Sequence, residues 1–404
     1  MPEAETPNLD TRQLLSNRNM QIIFAVTLSA TMGVSLVSPV LPKLVDVFGI
    51  QKEEVIMLIT AFTLPGVLFA PFLGILADRF GRKQVLVPAL ILFGIAGASC
   101  GFARDFHVLL FFRLLQGIGG SALFTLNNTL IGDLFPGRTR FLAMGLNASL
   151  VSLAAAIYPA FGGIMATVHW SIPFFVPLAA IPIALFTAFK LTNPEQQEQQ
   201  PIGTYFSGAI VSLRQWSVLR LYVLTFFTFV LTFGPIVSFV PLWMAGEYNS
   251  NASAIGLILS SSSLTAAIIS ARLEWIGKHF RVGMMMAVAF LLYSIALWWI
   301  PHIPSAWMML FPGLIFGAAQ GLNIPSSQAL IVGAAPFKFR GVYMAVNSTV
   351  ILAGITTGPF VAAIAYKSIG IVGLYYGGAI GALIMSIMLV LNANGLDIDK
   401  TQST

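Results

Sequence analysis

Charge is what this sequence has least of: Asp, Glu, Lys and Arg together supply 9% of its 404 residues. A soluble domain carries about a quarter, so this chain lacks the polar surface an ordinary water-facing fold needs. Cysteine is rarer still. The single Cys100 excludes an internal disulfide and any cysteine metal centre, and its apolar surroundings mark it as a small packing residue. Four histidines, His107, His169, His279 and His302, are scattered at the edges of apolar runs. No histidine cluster, acid pair or activated nucleophile is therefore expected within those runs, and no Gly-Lys-Ser phosphate loop is present for ATP. The expectation is a non-enzyme without a cofactor.

What remains is apolar. Hydrophobic residues make up 57% of the chain, and the mean hydropathy is +0.86. Crossing about 30 Å of hydrocarbon takes roughly twenty apolar residues. Runs of that length occur at 20–46, 55–77, 84–103, 107–133, 140–166 and 171–190. A second set follows at 217–244, 252–273, 282–300, 304–334, 340–366 and 369–392. The sequence thus predicts an all-α polytopic membrane protein, with twelve transmembrane helices in two pseudo-symmetric six-helix bundles.

Residues 1–19 form a polar tail, 20–191 the first bundle, 192–216 a linker, 217–392 the second bundle and 393–404 a second tail. The first run has no small-residue cleavage site and is read as a retained span. With the termini inside, sixteen Lys and Arg fall in cytoplasmic segments and four in outer loops, while Arg113 lies within a span. This bias places both termini in the cytoplasm and the chain in the inner (plasma) membrane. The net charge of +6 reflects these short basic loops rather than a basic stripe, which argues against nucleic acid as a partner.

The two halves repeat. Pro136, Arg140, Met144, Asn147 and Pro159 recur as Pro336, Arg340, Met344, Asn347 and Pro359, and Gly117 recurs as Gly317, always 200 positions on. Two repeated bundles predict a transporter with its substrate between the halves near the midplane. Two bundles in one chain also make a monomer sufficient.

After the second run comes Gly74-Ile75-Leu76-Ala77-Asp78-Arg79-Phe80-Gly81-Arg82-Lys83. Gly74 permits close helix approach and Gly81 a tight turn. Arg79, Arg82 and Lys83 hold the loop inside, and Asp78 at a helix end can pair with a base or a helix N-terminus. This loop resembles the signature of the major facilitator superfamily. A worn copy, Glu274-Trp275-Ile276-Gly277-Lys278-His279, stands in the matching loop of the second half. Arg113-Leu114-Leu115-Gln116-Gly117 resembles the family's basic motif, which implies a link between Arg113 and proton coupling; snorkelling to the outer surface is the bland alternative.

Tyr158-Pro159-Ala160-Phe161-Gly162-Gly163 resembles the antiporter motif, with Tyr158 where glycine is usual. Gly358-Pro359 gives an intact copy in the eleventh run. Ser38-Pro39-Val40-Leu41-Pro42 is similar to the twelve-span drug:proton antiporter branch. The resemblance implies proton-coupled efflux of hydrophobic or amphipathic small molecules by alternating access. Uptake or facilitated diffusion of a metabolite, translocation of a lipid-like substrate, and a transport-silent membrane sensor are the alternatives.

None of the fifteen acids lies near the middle of a run. Asp133, at an inner end, is expected to pair with Arg138 or Arg140, or else to serve in gating. The middle of the bundle instead carries amides: Asn127, Asn128, Asn147, Gln320, Asn323, Gln328 and Asn347. Asn127, Asn147, Asn323 and Asn347, with Tyr158 and Phe227, are the candidate cavity residues; helix-to-helix bonding is their structural alternative. An uncharged, amide-lined cavity suits a neutral or weakly charged amphipathic solute.

Overall fold

In the computed structural model the described residues are 10–135, 137–192, 214–336 and 340–391. Gly74 and the side chains of Asp78, Asn128, Arg138, Glu274 and Arg340 lie outside what is described. So do most of the 192–216 linker and all of the 393–404 tail.

The described residues are helical, with no strand among them. This is what a bilayer demands, because a helix satisfies its own backbone hydrogen bonds where no water can. In the first half the spans are α1 Arg18–Phe48, α2 Met57–Phe80, α3 Arg82–Cys100, α4 Phe106–Leu134, α5 Gly137–Val168 and α6 Ile172–Lys190. The second half has α7 Trp216–Tyr248, α8 Ala252–Ala271, α9 Val282–His302 and α10 Ala306–Ala334. The helical stretch Arg340–Leu391 then bends at Gly370 (φ 71°, ψ 178°), dividing into α11 (340–369) and α12 (371–391). A left-handed φ there suits glycine alone. Among the described residues ten segments, counting Val342–Leu391 once, are long and apolar enough to span. Its division and the 24-residue α2 bring the number to twelve.

The repeat seen in sequence is a repeat of packing. A Cβ on Gly117 of α4 would lie 2.2 Å from the Phe62 carbonyl oxygen of α2. A Cβ on Gly317 of α10 would lie 2.0 Å from the Ser262 carbonyl of α8. Both partners are thus shifted by the same 200 positions, and in each half glycine lets two backbones touch. The first span of each half also leaves regular α-helix at matching depth, through the 3₁₀ turn Ser38–Val40 in α1 and the π segment Thr232–Phe239 in α7.

The halves meet mainly along α5 with α8 and α2 with α11. Further contacts between the halves, made by α7, lie toward the end remote from the described termini. Ser38 Oγ donates to the Val237 carbonyl at 2.5 Å, and Lys52 Nζ lies 3.0 Å from where a Gly246 Cβ would sit.

Candidate functional site

Arg113 does not snorkel. It is fully buried, and its guanidinium donates to the Leu58 carbonyl at 3.2 Å, to Gln116 Oε1 at 2.8 Å and to the Gly33 carbonyl at 2.7 Å. The Phe62 ring faces it with the centroid 4.5 Å away. The Gly33 carbonyl is available for a local reason. As α1 tightens toward Pro39, the Val37 amide donates to Val34 rather than to Gly33. Five fixed donors in a planar fork suit several acceptors at once, so Arg113 ties α4 to α1 and α2. The sequence missed Phe62 and Gly33, and neither residue type signals a partner for arginine on its own.

At the end where the termini lie, Gly81 (φ 99°) makes the turn from α2 into α3. The next residue pairs with Asp133: Arg82 Nε to Asp133 Oδ2 is 3.0 Å. That corrects the expected pairing of Asp133 with Arg140. Arg140 instead donates to the carbonyls of Gly132 and Phe135, because it stands in the first turn of α5 and reaches back to the end of α4. Lys83 Nζ reaches the Leu191 carbonyl at 3.4 Å. The loop motif therefore links α3 to the ends of α4 and α6. Arg79 is exposed.

The glycine–proline motif of α5 forms a seam. A Cβ on Gly162 would meet the Leu36 carbonyl of α1 at 2.2 Å, and one on Gly163 the Ala252 carbonyl of α8 at 2.2 Å. The opposing helix answers with Gly256, whose added Cβ would lie 2.1 Å from the Pro159 carbonyl. The Ala160 amide, one residue past the proline, donates to Ser260 Oγ at 3.0 Å. Gly358, beside Pro359 in α11, packs within its own half, against Val230 and Gly234 of α7. Gly256 was not singled out from sequence, since only its partner helix shows why that position has no side chain.

The buried amides gather around threonines of the first span in each half. Asn127 Nδ2 donates to Thr27 Oγ1 at 2.5 Å, and Thr27 Oγ1 donates to Asn147 Oδ1 at 2.5 Å. In the second half Asn323 Nδ2 donates to Thr228 Oγ1 at 2.6 Å, and Thr225 shares a hydrogen bond with Ser327 at 2.8 Å. Between α7, α10 and α11 lies a small space of about 10 Å³, lined by Thr225, Thr228, Phe229, Asn323, Ser327, Gln328 and Asn347 among others. Tyr158 and Phe227 are engaged elsewhere. Tyr158 donates to the Leu28 carbonyl at 3.2 Å, and Phe227 stacks on Phe290 with centroids 6.4 Å apart. Thr27, Thr228 and Ser327 escaped sequence reading, because single hydroxyls in apolar runs usually bond their own helix backbone.

The sequence pattern of the Major Facilitator Superfamily matches residues 23–243 and 221–400. The chain is 27% identical over 365 residues to the bacillibactin exporter of Bacillus subtilis (strain 168), covering 85% of this chain and 88% of the relative. It is 25% identical to the class B tetracycline resistance protein of Escherichia coli, covering 94% and 98%. Among solved structures, a D-xylose–proton symporter superposes with a TM-score of 0.75 at 13% identity, covering 92% and 96%. A peptide-conjugate complex of a POT family transporter gives 0.79 at 12%, covering 94% and 97%. At such identities the structural likeness is one of fold. Twelve helices in two repeated bundles, the loop built on Gly81, Arg82 and Lys83, and a family pattern matching both halves lead to one conclusion: the chain belongs to the major facilitator superfamily and is a multi-pass membrane transporter rather than an enzyme.

Proposed function

We propose that this transporter exports hydrophobic or amphipathic small molecules across the plasma membrane in exchange for protons, with both termini in the cytoplasm. The observation that carries the reading is the α5 seam. Pro159, Gly162 and Gly163 bring α5 into backbone contact with both α1 and α8, so the motif typical of antiporters lies where the two halves must part to open outward. The relatives that match over most of their length are named as exporters or resistance proteins, which supports the same direction.

Alternating access needs two arrangements of packed elements, each held by its own contacts. Contacts such as Ser38 to Val237 and the α5–α8 seam hold the outer end together. The Arg82–Asp133 pair and the Lys83–Leu191 bond brace the cytoplasmic loop within the first half, alongside Asp78 as a gating residue. Arg113 is a fixed positive charge, because a guanidinium does not release its proton under physiological conditions. Its part in coupling is to set the potential and hold α1, α2 and α4 in register, while the travelling proton is carried by another group. Small-molecule substrate, bilayer and protons are then the only partners required, and one chain suffices.

The test is flux of a fluorescent amphipathic dye from proteoliposomes, with and without an imposed pH gradient, for the parent and Arg113→Ala. Gradient-driven movement lost in the variant supports proton-coupled export. Flux indifferent to the gradient and to Arg113 refutes it and leaves facilitated diffusion.

A further inference from the structure

Within the first half a cleft of about 400 Å³ opens between α2, α3 and α4. Its walls follow from helical spacing. Leu73, Leu76 and Phe80, three and four residues apart, form one stripe of α2, and Gln84, Pro88 and Leu92, four apart, form one stripe of α3. Gly119 and Ala122 of α4 are too small to fill the floor. From Gln84 to Leu92 is eight residues, or about 12 Å along α3, which is under half of a hydrocarbon core of about 30 Å. The cleft therefore lies in one leaflet, on the side of the described termini. Leu76 and Phe80 are 43% and 57% exposed, so its α2 wall is open at the protein surface.

The mouth differs from the walls. Gln84 is the one polar side chain among the residues lining the cleft, and it is exposed. Pro88 has no amide proton, so it cannot give the Gln84 carbonyl, one turn earlier, the usual helical hydrogen bond. Beside them the exposed Arg79 guanidinium lies 5.9 Å from the centroid of the Phe80 ring. Lys83 adds a second positive charge in the first turn of α3, while Arg82 is balanced by Asp133. Against Arg79 and Lys83 the turn carries only Asp78, which leaves the mouth net positive. An apolar slot under a polar, basic rim suits a hydrocarbon chain with an anionic head. Water finds too few partners below the rim, and a cationic amphipath is opposed by its charge. The cytoplasmic leaflet supplies anionic phospholipid at this depth.

We propose that the α2–α3–α4 cleft binds an anionic phospholipid of the inner leaflet, with one acyl chain between Leu76 and Leu92 and the phosphate at Arg79 and Gln84. This rests on the reading that the termini are cytoplasmic, which sets the leaflet. The site lies within the first half, away from the path between the halves, and so holds a resident lipid rather than the transported solute.

Native mass spectrometry of the purified full chain in detergent reads the binding of three probes: dioleoyl phosphatidylglycerol, dioleoyl phosphatidylcholine, and glycerophosphate, which has the anionic head without the chains. The parent is expected to hold phosphatidylglycerol about fivefold more tightly than phosphatidylcholine, the factor one basic side chain contributes toward an anionic lipid. Arg79→Gln is expected to remove that preference. Leu76→Trp, which fills the slot, is expected to weaken both lipids, and Ile380→Trp, at an exposed position of α12, to weaken neither. Arg79 is exposed, so its variant decides the matter if Leu76→Trp does not fold. Equal binding of the two lipids by the parent, glycerophosphate binding as tightly as phosphatidylglycerol, or lipid binding untouched by Leu76→Trp overturns the proposal. Binding of tetraphenylphosphonium, lost in Leu76→Trp while both lipids stay bound, would also overturn it and assign the cleft to a transported cation. Gradient-driven dye export would stand through any of these outcomes.

Discussion

Replacing Gly256 with alanine tests whether the α5–α8 seam closes the outer end. The new methyl carbon would lie 2.1 Å from the Pro159 carbonyl oxygen, 2.8 Å from its carbon and 3.1 Å from the Ala160 Cα. All three are backbone atoms, so no side chain can rotate aside. Ordinary contact begins at 3.4 Å, and α8 must therefore withdraw from α5 by about 1.3 Å. Overpacking of this kind costs roughly 1–3 kcal/mol. Because the cost falls only on the state in which the seam is closed, it shifts the equilibrium toward outward opening by roughly 5- to 150-fold. The Ala160–Ser260 hydrogen bond, 3.0 Å in the closed seam, weakens with it. Nitroxide labels at Lys52→Cys and Glu247→Cys span the two halves at that end, and the native Cys100 is fully buried and escapes labelling. Pulsed electron spectroscopy should show a longer, broader distance in Gly256→Ala. Gly377→Ala, where nothing lies within 4 Å of the new carbon, should leave the distribution as it was. An unchanged distance in Gly256→Ala would mean that the seam yields without opening and that outer closure is held elsewhere.

Arg113→Met strips three hydrogen bonds and the Phe62 contact, leaving the Gly33 carbonyl and Gln116 Oε1 unpaired. A loss of roughly 2 kcal/mol or more is expected, read as a lower Tm in detergent; a higher Tm would show the charge to be held at a net cost to the fold. Asp133→Asn should slow dye flux severalfold with little change in Tm, since a partly exposed pair contributes under about 1 kcal/mol. Exchanging the partners, Arg82→Asp with Asp133→Arg, should recover part of that flux, and failure to recover any would count against a gating role. Asp105 caps α4, and hydrogen bonds from the Val108 and then the His107 amide hold its carboxyl below the usual carboxylate range. A depressed folded-state pKa gives stability that is present above the unfolded value of about 4 and is lost as pH falls through the lower folded value. The Tm difference between the parent and Asp105→Ala should therefore close as the pH falls below about 4, and a pH-independent difference would refute this account of the cap.

Composition and spacing determined the membrane, the number of spans and the twofold repeat, because hydrocarbon thickness and backbone satisfaction leave little choice to a chain with 9% charged residues. They also marked Arg113, Gly162 and Gly163 as worth attention, since a charge or a glycine pair in a span needs a reason. Tertiary structure alone decided what those residues touch. A one-dimensional pattern cannot reveal that Gly256 on another helix completes the seam, or that the Val37 amide turns to Val34 and leaves the Gly33 carbonyl for Arg113. Nor can it tell which arginine reaches Asp133: Arg82, 51 positions away, is nearer in space than Arg140 in the following helix. The same holds for the amides. Asn127 and Asn147 both turn to Thr27, because hydrogen bonding depends on which groups three packed helices bring within about 3 Å.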